Sequence, residues 1–289
     1  MFERTDYPSG VPCWVDVVQP DFDRAVEFYG GLFDWKFDVR TPDGAPVRYA
    51  YAVLDGHTVA GLGSSTGDTT RPPGWTHYVR VESADATAAA VEANGGRVLS
   101  APIDIPRSGR VALCADPAGA TIGLWQPAEN RGVQVVNAPG SWNFSELHTA
   151  DPDGARAFYG AVFGWECDAF EMGPGATAWL WRMPGYGAFL AESDPGLRER
   201  LETNEAPDGF ADAVAWMEPF AAEGSTADDA WWSVTFAVAD ADAAHARAVA
   251  LGATVVTALF DTPYTRQSTV RDPQGATLTL SEYRPPQPD

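Results

Sequence analysis

Apolar and polar side chains alternate over residues 11–18, a period of two that predicts a β-strand, and Gln19-Pro20-Asp21 ends it. The period then changes. Phe22, Ala25, Val26, Tyr29 and Phe33 fall on one stripe of a helix, with Asp21 placed to cap its first turn. The same signals return over 143–149, with Asp151 at the cap and Pro152 at the first helical position. There the stripe is Ala155, Phe158, Tyr159, Val162 and Phe163. Asp43-Gly44, Asp55-Gly56, Gly173-Pro174 and Pro184-Gly185 then punctuate short strand candidates such as 48–54 and 177–182.

A second pattern follows each of these. Residues 76–81 and 233–238 read as strands, and Ala-rich helices come next, ending at Asn94-Gly95-Gly96 and Leu251-Gly252, where glycine supplies the left-handed exit. Val98-Leu99 and Val255-Val256, an Asp-x-Pro element (Asp104/Pro106, Asp261/Pro263) and a further strand lead to Asp116-Pro117-x-Gly119 and Asp272-Pro273-x-Gly275. A closing strand ends each unit. The order strand–helix–strand–strand–strand is therefore written four times. Residue for residue, 25–35 returns as 155–165, with Phe28/Phe158, Tyr29/Tyr159, Gly30/Gly160, Phe33/Phe163 and Trp35/Trp165 in register. The chain is a tandem duplication, and that repeat outranks any single residue as a guide to architecture.

The halves differ in one place. About a dozen residues separate modules one and two, whereas 193–230 separates three and four. Phe210, Ala213, Val214 and Met217 stand there at i, i+3, i+4 and i+7, which predicts an amphipathic helix. It reads first as a cover for an exposed edge and alternatively as a lid over a pocket.

A length of 289 residues with 45% hydrophobic content agrees with two packed domains. The formal charge of −21 argues against nucleic acid as a partner, and the single lysine, Lys36, against Schiff-base chemistry. Cys13, Cys114 and Cys167 are odd in number and lack metal spacing. No apolar run is long enough for a bilayer, and the opening residues carry no leader pattern, so a cytoplasmic protein off the membrane is expected. Phosphate loops, nucleophile elbows and His-Glu-x-x-His motifs are missing.

Four such modules carrying Phe-Tyr-Gly-x-x-Phe-x-Trp and Asp-Pro-x-Gly-Ala resemble the vicinal oxygen chelate superfamily. That group includes glyoxalase I, bleomycin-resistance proteins, fosfomycin-resistance transferases and extradiol dioxygenases. The resemblance implies an α+β fold in which modules pair into two cupped sheets with helices outside. It places one glyoxalase-like domain at 1–126 (modules 11–62 and 75–126) and a linker at 127–140. A second domain covers 141–289 (modules 141–192 and 231–283), with the helical insertion 193–230. One-with-two and one-with-four pairing both stand.

The resemblance also implies a divalent metal held by His, Glu or Gln from the first and closing strands. Aligned on the motifs, those positions here are Trp14, Thr76, Phe144 and Ser233, then Gly61, Gly123, Phe189 and Thr279. None is a usual ligand. No cofactor is expected, although a divalent metal stays open as an alternative.

If Trp14 and Phe144 face inward, strand alternation brings Asp16, Val18, Glu146 and His148 to the same faces, with Tyr78, Arg80 and Thr235 on neighbouring strands. Glu146, His148 and Asp16 are the catalytic candidates; Trp14, Tyr78, Arg80, Phe144 and Thr235 are the substrate-binding ones. A carboxylate beside imidazole is expected to raise the imidazole pKa toward an acid–base couple. The plainer readings are a polar pair anchoring the sheet and an Asp16–Arg80 ion pair. His77 should pack on the opposite face, and His245 should be solvated.

Three functions follow. The first is a metal-independent enzyme, with lyase, isomerase or hydroxylase-like activity, acting on an aromatic or polyketide-like metabolite. The second is a sequestering protein of the bleomycin-resistance kind. The third is a metal enzyme with unusual ligands. The partner in each is a small molecule, bound to a monomer or homodimer.

Overall fold

The computed structural model describes residues 3–65, 74–173, 176–203, 206–220 and 230–284. Module one comprises β1 (Pro12–Gln19), α1 (Phe22–Phe33), β2 (Lys36–Val39), β3 (Tyr49–Leu54) and β4 (His57–Ser64). Module two comprises β5 (Gly74–Arg80), α2 (Ala84–Ala93), β6 (Arg97–Ile105), β7 (Gly109–Ala115) and β8 (Thr121–Pro127). Module three runs through β9 (Trp142–Thr149), α3 (Pro152–Phe163), β10 (Glu166–Gly173) and β11 (Ala176–Arg182). After α4 (Tyr186–Ser193), α5 (Leu197–Thr203) and a 3-10 turn at Phe210–Asp212, it closes with β12 (Ala213–Pro219). Module four is β13 (Trp231–Ala237), α6 (Ala241–Ala250), β14 (Thr254–Asp261), β15 (Thr265–Arg271) and β16 (Thr277–Tyr283).

The strands form two eight-stranded sheets, ordered β2-β3-β4-β1-β5-β8-β7-β6 and β10-β11-β12-β9-β13-β16-β15-β14. Modules one and two therefore share a sheet, joined by antiparallel β1 and β5, and modules three and four share the other through β9 and β13. Helices lie on one face of each sheet and leave the opposite, cupped face to the site. The helix starts obey their caps: Asp21, Ser83, Asp151 and Asp240 each accept a backbone N–H three residues ahead. Among the described residues no helix is long and apolar enough to cross a membrane.

The helix-bearing faces of the two halves meet, α1 against α6, α2 against α3 and β5 against β13. Here the repeated motifs find their purpose. The Tyr29 hydroxyl donates to Asp272 Oδ2 at 2.7 Å, and the Tyr159 hydroxyl donates to Asp116 Oδ2 at 3.0 Å. Each tyrosine of one half thus meets the Asp-Pro turn of the other, and the second oxygen of each aspartate closes its own turn on Ala276 or Ala120. The Trp35 and Trp165 indoles donate to the carbonyls of Gly140 and Gly10. These residues hold the halves together and do not line a cup.

The insertion departs from expectation. Residues 213–217, expected as helix, form most of strand β12, and its helices are α4 and α5, which begin earlier. A central strand covered on both faces reads as an unbroken apolar run, here Ala213-Val214-Ala215-Trp216-Met217, which periodicity alone does not separate from a helix. Module three consequently extends to Pro219, and Phe189 belongs to α4, not to a closing strand. Pro174 of the expected turn and residues 204–205 and 221–229 of the expected insertion lie outside the described residues.

Candidate functional site

In the first cup, Asp16 stands in register with Gly61 of β4 and Thr76 of β5. One carboxylate oxygen accepts from the Tyr49 hydroxyl at 2.9 Å and the other from Tyr78 at 3.0 Å. The Trp14 indole donates to the Tyr49 hydroxyl at 3.1 Å, and Tyr51 meets Trp14 edge-on at 5.2 Å between centroids. Asp16, Trp14 and Tyr78 are all buried. The two closing-strand glycines make this packing possible. A Cβ on Gly61 would lie 2.1 Å from the Tyr49 oxygen, and one on Gly123 would lie 1.9 Å from the Tyr78 ring. Aromatic rings fill the floor of this cup. Arg80, expected to pair with Asp16, forms an ion pair with Glu82, while the Asp16 oxygens take the Tyr49 and Tyr78 hydroxyls.

The second cup keeps its polar groups in a line. Glu146 stands between Trp216 of β12 and Ser233 of β13, and His148 stands between Glu218 and Trp231. Glu146 accepts from Ser233 Oγ at 2.9 Å and from Thr235 Oγ1 at 2.8 Å. Ser233 Oγ is also 3.0 Å from His148 Nε2. With Glu146 ionised, the serine proton goes to the carboxylate, so His148 Nε2 donates to Ser233 Oγ and Nδ1 is the acceptor. The imidazole stacks on Trp231 with centroids 4.6 Å apart and planes 8° from parallel. Phe144 packs with Phe210 and Trp216, so the insertion supplies part of the aromatic wall.

Burial dominates the titration of this line. It raises the Glu146 carboxyl above its usual range, against the opposing pull of the Thr235 and Ser233 hydroxyls. Burial and the nearby Glu146 charge also raise Glu218. His148 moves opposite to the expected direction: burial lowers its pKa to about 4. The carboxylate was expected to stabilise imidazolium, but the serine stands between them and desolvation prevails.

The predicted residues thus divide. Glu146, His148, Thr235 and Phe144 share the second cup; Asp16, Trp14, Tyr78 and Arg80 lie in the first. His77 sits on the helix-side face, fully buried, 4.3 Å in centroid distance from Trp232 of the other half. His245 is half-buried on Ser268 rather than solvated. Sequence reasoning missed Tyr49 and Tyr51, although alternation along β3 puts both on one face. It passed over Ser233 and Trp216 as contributors because only the register sets them beside Glu146.

The donors do not fit a divalent ion. Across the floor of the first cup stand Asp16, Gly61 and Thr76, then Trp14, Tyr78 and Gly123; across the second, Glu146, Trp216 and Ser233, then Phe144, Thr235 and Thr279. The first cup floor offers one carboxylate. In the second, Glu218 stands beside His148 and near Glu146, but among the described residues these three do not bring their ligand atoms within 4.8 Å of one another. Both oxygens of Asp16 and of Glu146 already accept hydroxyl hydrogen bonds. Among the described residues, the acidic group with ligand atoms within 4.8 Å of one another is Asp240, Asp242 and Glu282, at the start of α6. Arg266 and Arg284 already pair with it.

Two family models match: the Glyoxalase/Bleomycin resistance protein/Dioxygenase superfamily over residues 13–124 and the Glyoxalase-like domain over 145–281. CFP32 of Mycobacterium tuberculosis (strain CDC 1551 / Oshkosh), a provisionally named glyoxylase, is 33% identical over 293 residues, covering 99% of this chain and 100% of its own. The chain belongs to the glyoxalase/bleomycin resistance protein/dioxygenase superfamily. The anthracycline biosynthesis protein DnrV of Streptomyces peucetius is 32% identical over 297 residues, covering 97% of this chain and 96% of its own. In fold, this superfamily member is similar to the Mn(II)-bound glyoxalase from Novosphingobium aromaticivorans. The TM-score is 0.57 at 15% identity, over 95% of this chain and 82% of that one.

Proposed function

We propose that the second cup binds a flat aromatic or polyketide-like metabolite and acts on it by proton transfer through His148 and Glu146, without a divalent ion. The hydrogen-bonded line His148–Ser233–Glu146 under an aromatic wall carries this reading. A neutral imidazole with Nδ1 available takes a proton from an acidic hydroxyl or from a carbon beside a carbonyl. Its Nε2 proton passes to Ser233 Oγ as the serine proton passes to Glu146. The proton comes to rest on a carboxyl that burial already favours in its neutral form. Phe144, Trp216 and Trp231 supply the flat apolar surface that a ring system requires. The similarity to an anthracycline biosynthesis protein supports a ligand of that shape.

The test is a thermal-shift screen of hydroxylated anthraquinones, followed by mass spectrometry of the bound compound after incubation. The wild-type protein should convert a binder. Glu146→Gln and His148→Ala should hold it within a few-fold in affinity yet lose about 10²–10⁴ in rate. Binding without conversion by the wild type would favour sequestration. A stoichiometric manganese, iron or zinc ion in protein purified without an affinity tag would overturn the metal-independent reading.

A further inference from the structure

Tyr49 rises from β3 into the first cup, and its hydroxyl is held there as a bound phenol would be. The oxygen accepts from the Trp14 indole at 3.1 Å, and its proton goes to Asp16 Oδ2 at 2.9 Å. Burial, then the Asp16 charge, raises the Tyr49 pKa well above its usual 10, so the hydroxyl keeps the proton it donates. Trp14 and Asp16 are buried whereas Tyr49 is half-buried, so the ring reaches the floor from the solvent side. The floor is cleared for it. A Cβ on Gly61 would meet the Tyr49 oxygen at 2.1 Å, and one on Gly63 would meet the ring at 3.1 Å.

The duplication supplies its own control. Gly61 pairs with Asp16 as Trp216 pairs with Glu146. Tyr51 and Tyr49 oppose Gly61 and Gly63, whereas Leu180 and Trp179 oppose Trp216 and Met217. The counterpart of Tyr49, one step further along β11, is therefore Ala178. The second sheet forms in the same strand order with alanine at that position, so the fold itself does not require a phenol there.

We propose that the first cup is a phenol-binding site closed by the chain's own Tyr49. A ligand in that place must accept one hydrogen bond and donate another through the same oxygen, on a flat ring that fits over two glycines. Phenol meets both requirements. Benzene pairs with neither polar group, and anisole accepts from Trp14 but has no proton for Asp16. A buried donor or acceptor left unpaired is costly, so the hydroxyl separates phenol from the other two rings.

Tyr49→Ala removes the atoms that phenol returns, and titration of that protein with phenol tests the assignment. The Trp14 indole N–H is the reporter in proton–nitrogen correlation spectra, identified by its loss in Trp14→Phe. Phenol should shift this signal saturably in Tyr49→Ala, bind at least tenfold more tightly than benzene or anisole, and raise the melting temperature. The wild type and Tyr49→Phe, whose rings fill the space, should leave the signal unmoved. Phenol held no more tightly than benzene or anisole, a still Trp14 signal in folded Tyr49→Ala, or a shifted one in the wild type would overturn the proposal. Should Tyr49→Ala not fold alone, refolding with phenol but not with benzene would uphold the assignment; refolding with neither, or equally with both, would overturn it. The readout is binding in the first cup and needs neither turnover nor the second cup, so this proposal and the proton relay can fail separately.

Discussion

Ser233 turns two neighbouring side chains into a line. Without it Glu146 and His148 would be two half-buried groups two residues apart on β9; with it, each has a partner and a direction of proton flow. Ser233→Ala leaves a Glu146 oxygen and His148 Nε2 without that hydroxyl, and should cost about 1–3 kcal/mol in denaturant unfolding at neutral pH. The pKa shifts set the pH behaviour. His148, lowered to about 4, stays neutral through the physiological range, so its NMR titration midpoint should lie well below the ordinary 6.5. Glu146 must be ionised to receive a proton, and its pKa is raised above 4.5. The acid limb of kcat/KM should therefore fall with an apparent pKa above 4.5 as pH drops. A limb at the ordinary carboxylate value or lower would contradict the relay. The alternation along β9 exposed this pair in the sequence; the sign of the histidine shift needed the depth of the cup.

At the scale of strands, one difference between the sheets makes one cup full and the other lined. β3 carries Tyr49 and Tyr51 toward the first cup, and β4 and β8 meet the aromatic side chains with Gly61 and Gly123. Gly61→Ala or Gly123→Ala should overpack this floor and destabilise by about 1–3 kcal/mol, read from the shift in the denaturation midpoint. Neither glycine has a positive φ, so the loss would come from overlap with Tyr49 or Tyr78 and not from backbone strain. In the second sheet β12 carries Trp216 where Gly61 stands, and the 3-10 turn brings Phe210 onto Phe144. The helical stripes of α1 and α3 were plain in sequence because each helix presents one buried face. β12 was not, because burial on both faces erases the alternation that marks a strand.

The whole molecule is held by an interface that the repeats build on themselves, each Phe-Tyr-Gly helix against the Asp-Pro turn of the other half. His77 lies in this interface with both ring nitrogens unpartnered among the described residues, and burial lowers its pKa to about 3. Above pH 6.5 the folded and unfolded states both hold it neutral. Below that the unfolded chain takes up a proton that the folded one refuses, so stability falls as pH drops from 6.5 toward 3. By pH 4.5 this amounts to about 2–3 kcal/mol. His77→Phe should recover most of that part of the acid loss in urea denaturation at pH 7 and pH 4.5. Equal acid sensitivity in variant and wild type would show that carboxylates alone carry it.

The sequence by itself determined the duplication, the order of elements in the repeated modules and the caps that start the helices. All of these are local: a period of two or 3.6, a capping oxygen three residues from its N–H, a motif repeated at constant spacing. Tertiary structure alone decided that modules one and two share a sheet, that the insertion lies inside module three, and that tyrosines fill one cup. It also decided that Ser233 joins Glu146 to His148, which stays neutral. Those outcomes turn on strand register and desolvation, set by groups far apart in the chain; the hydroxyl that bridges the pair comes from 85 residues beyond His148.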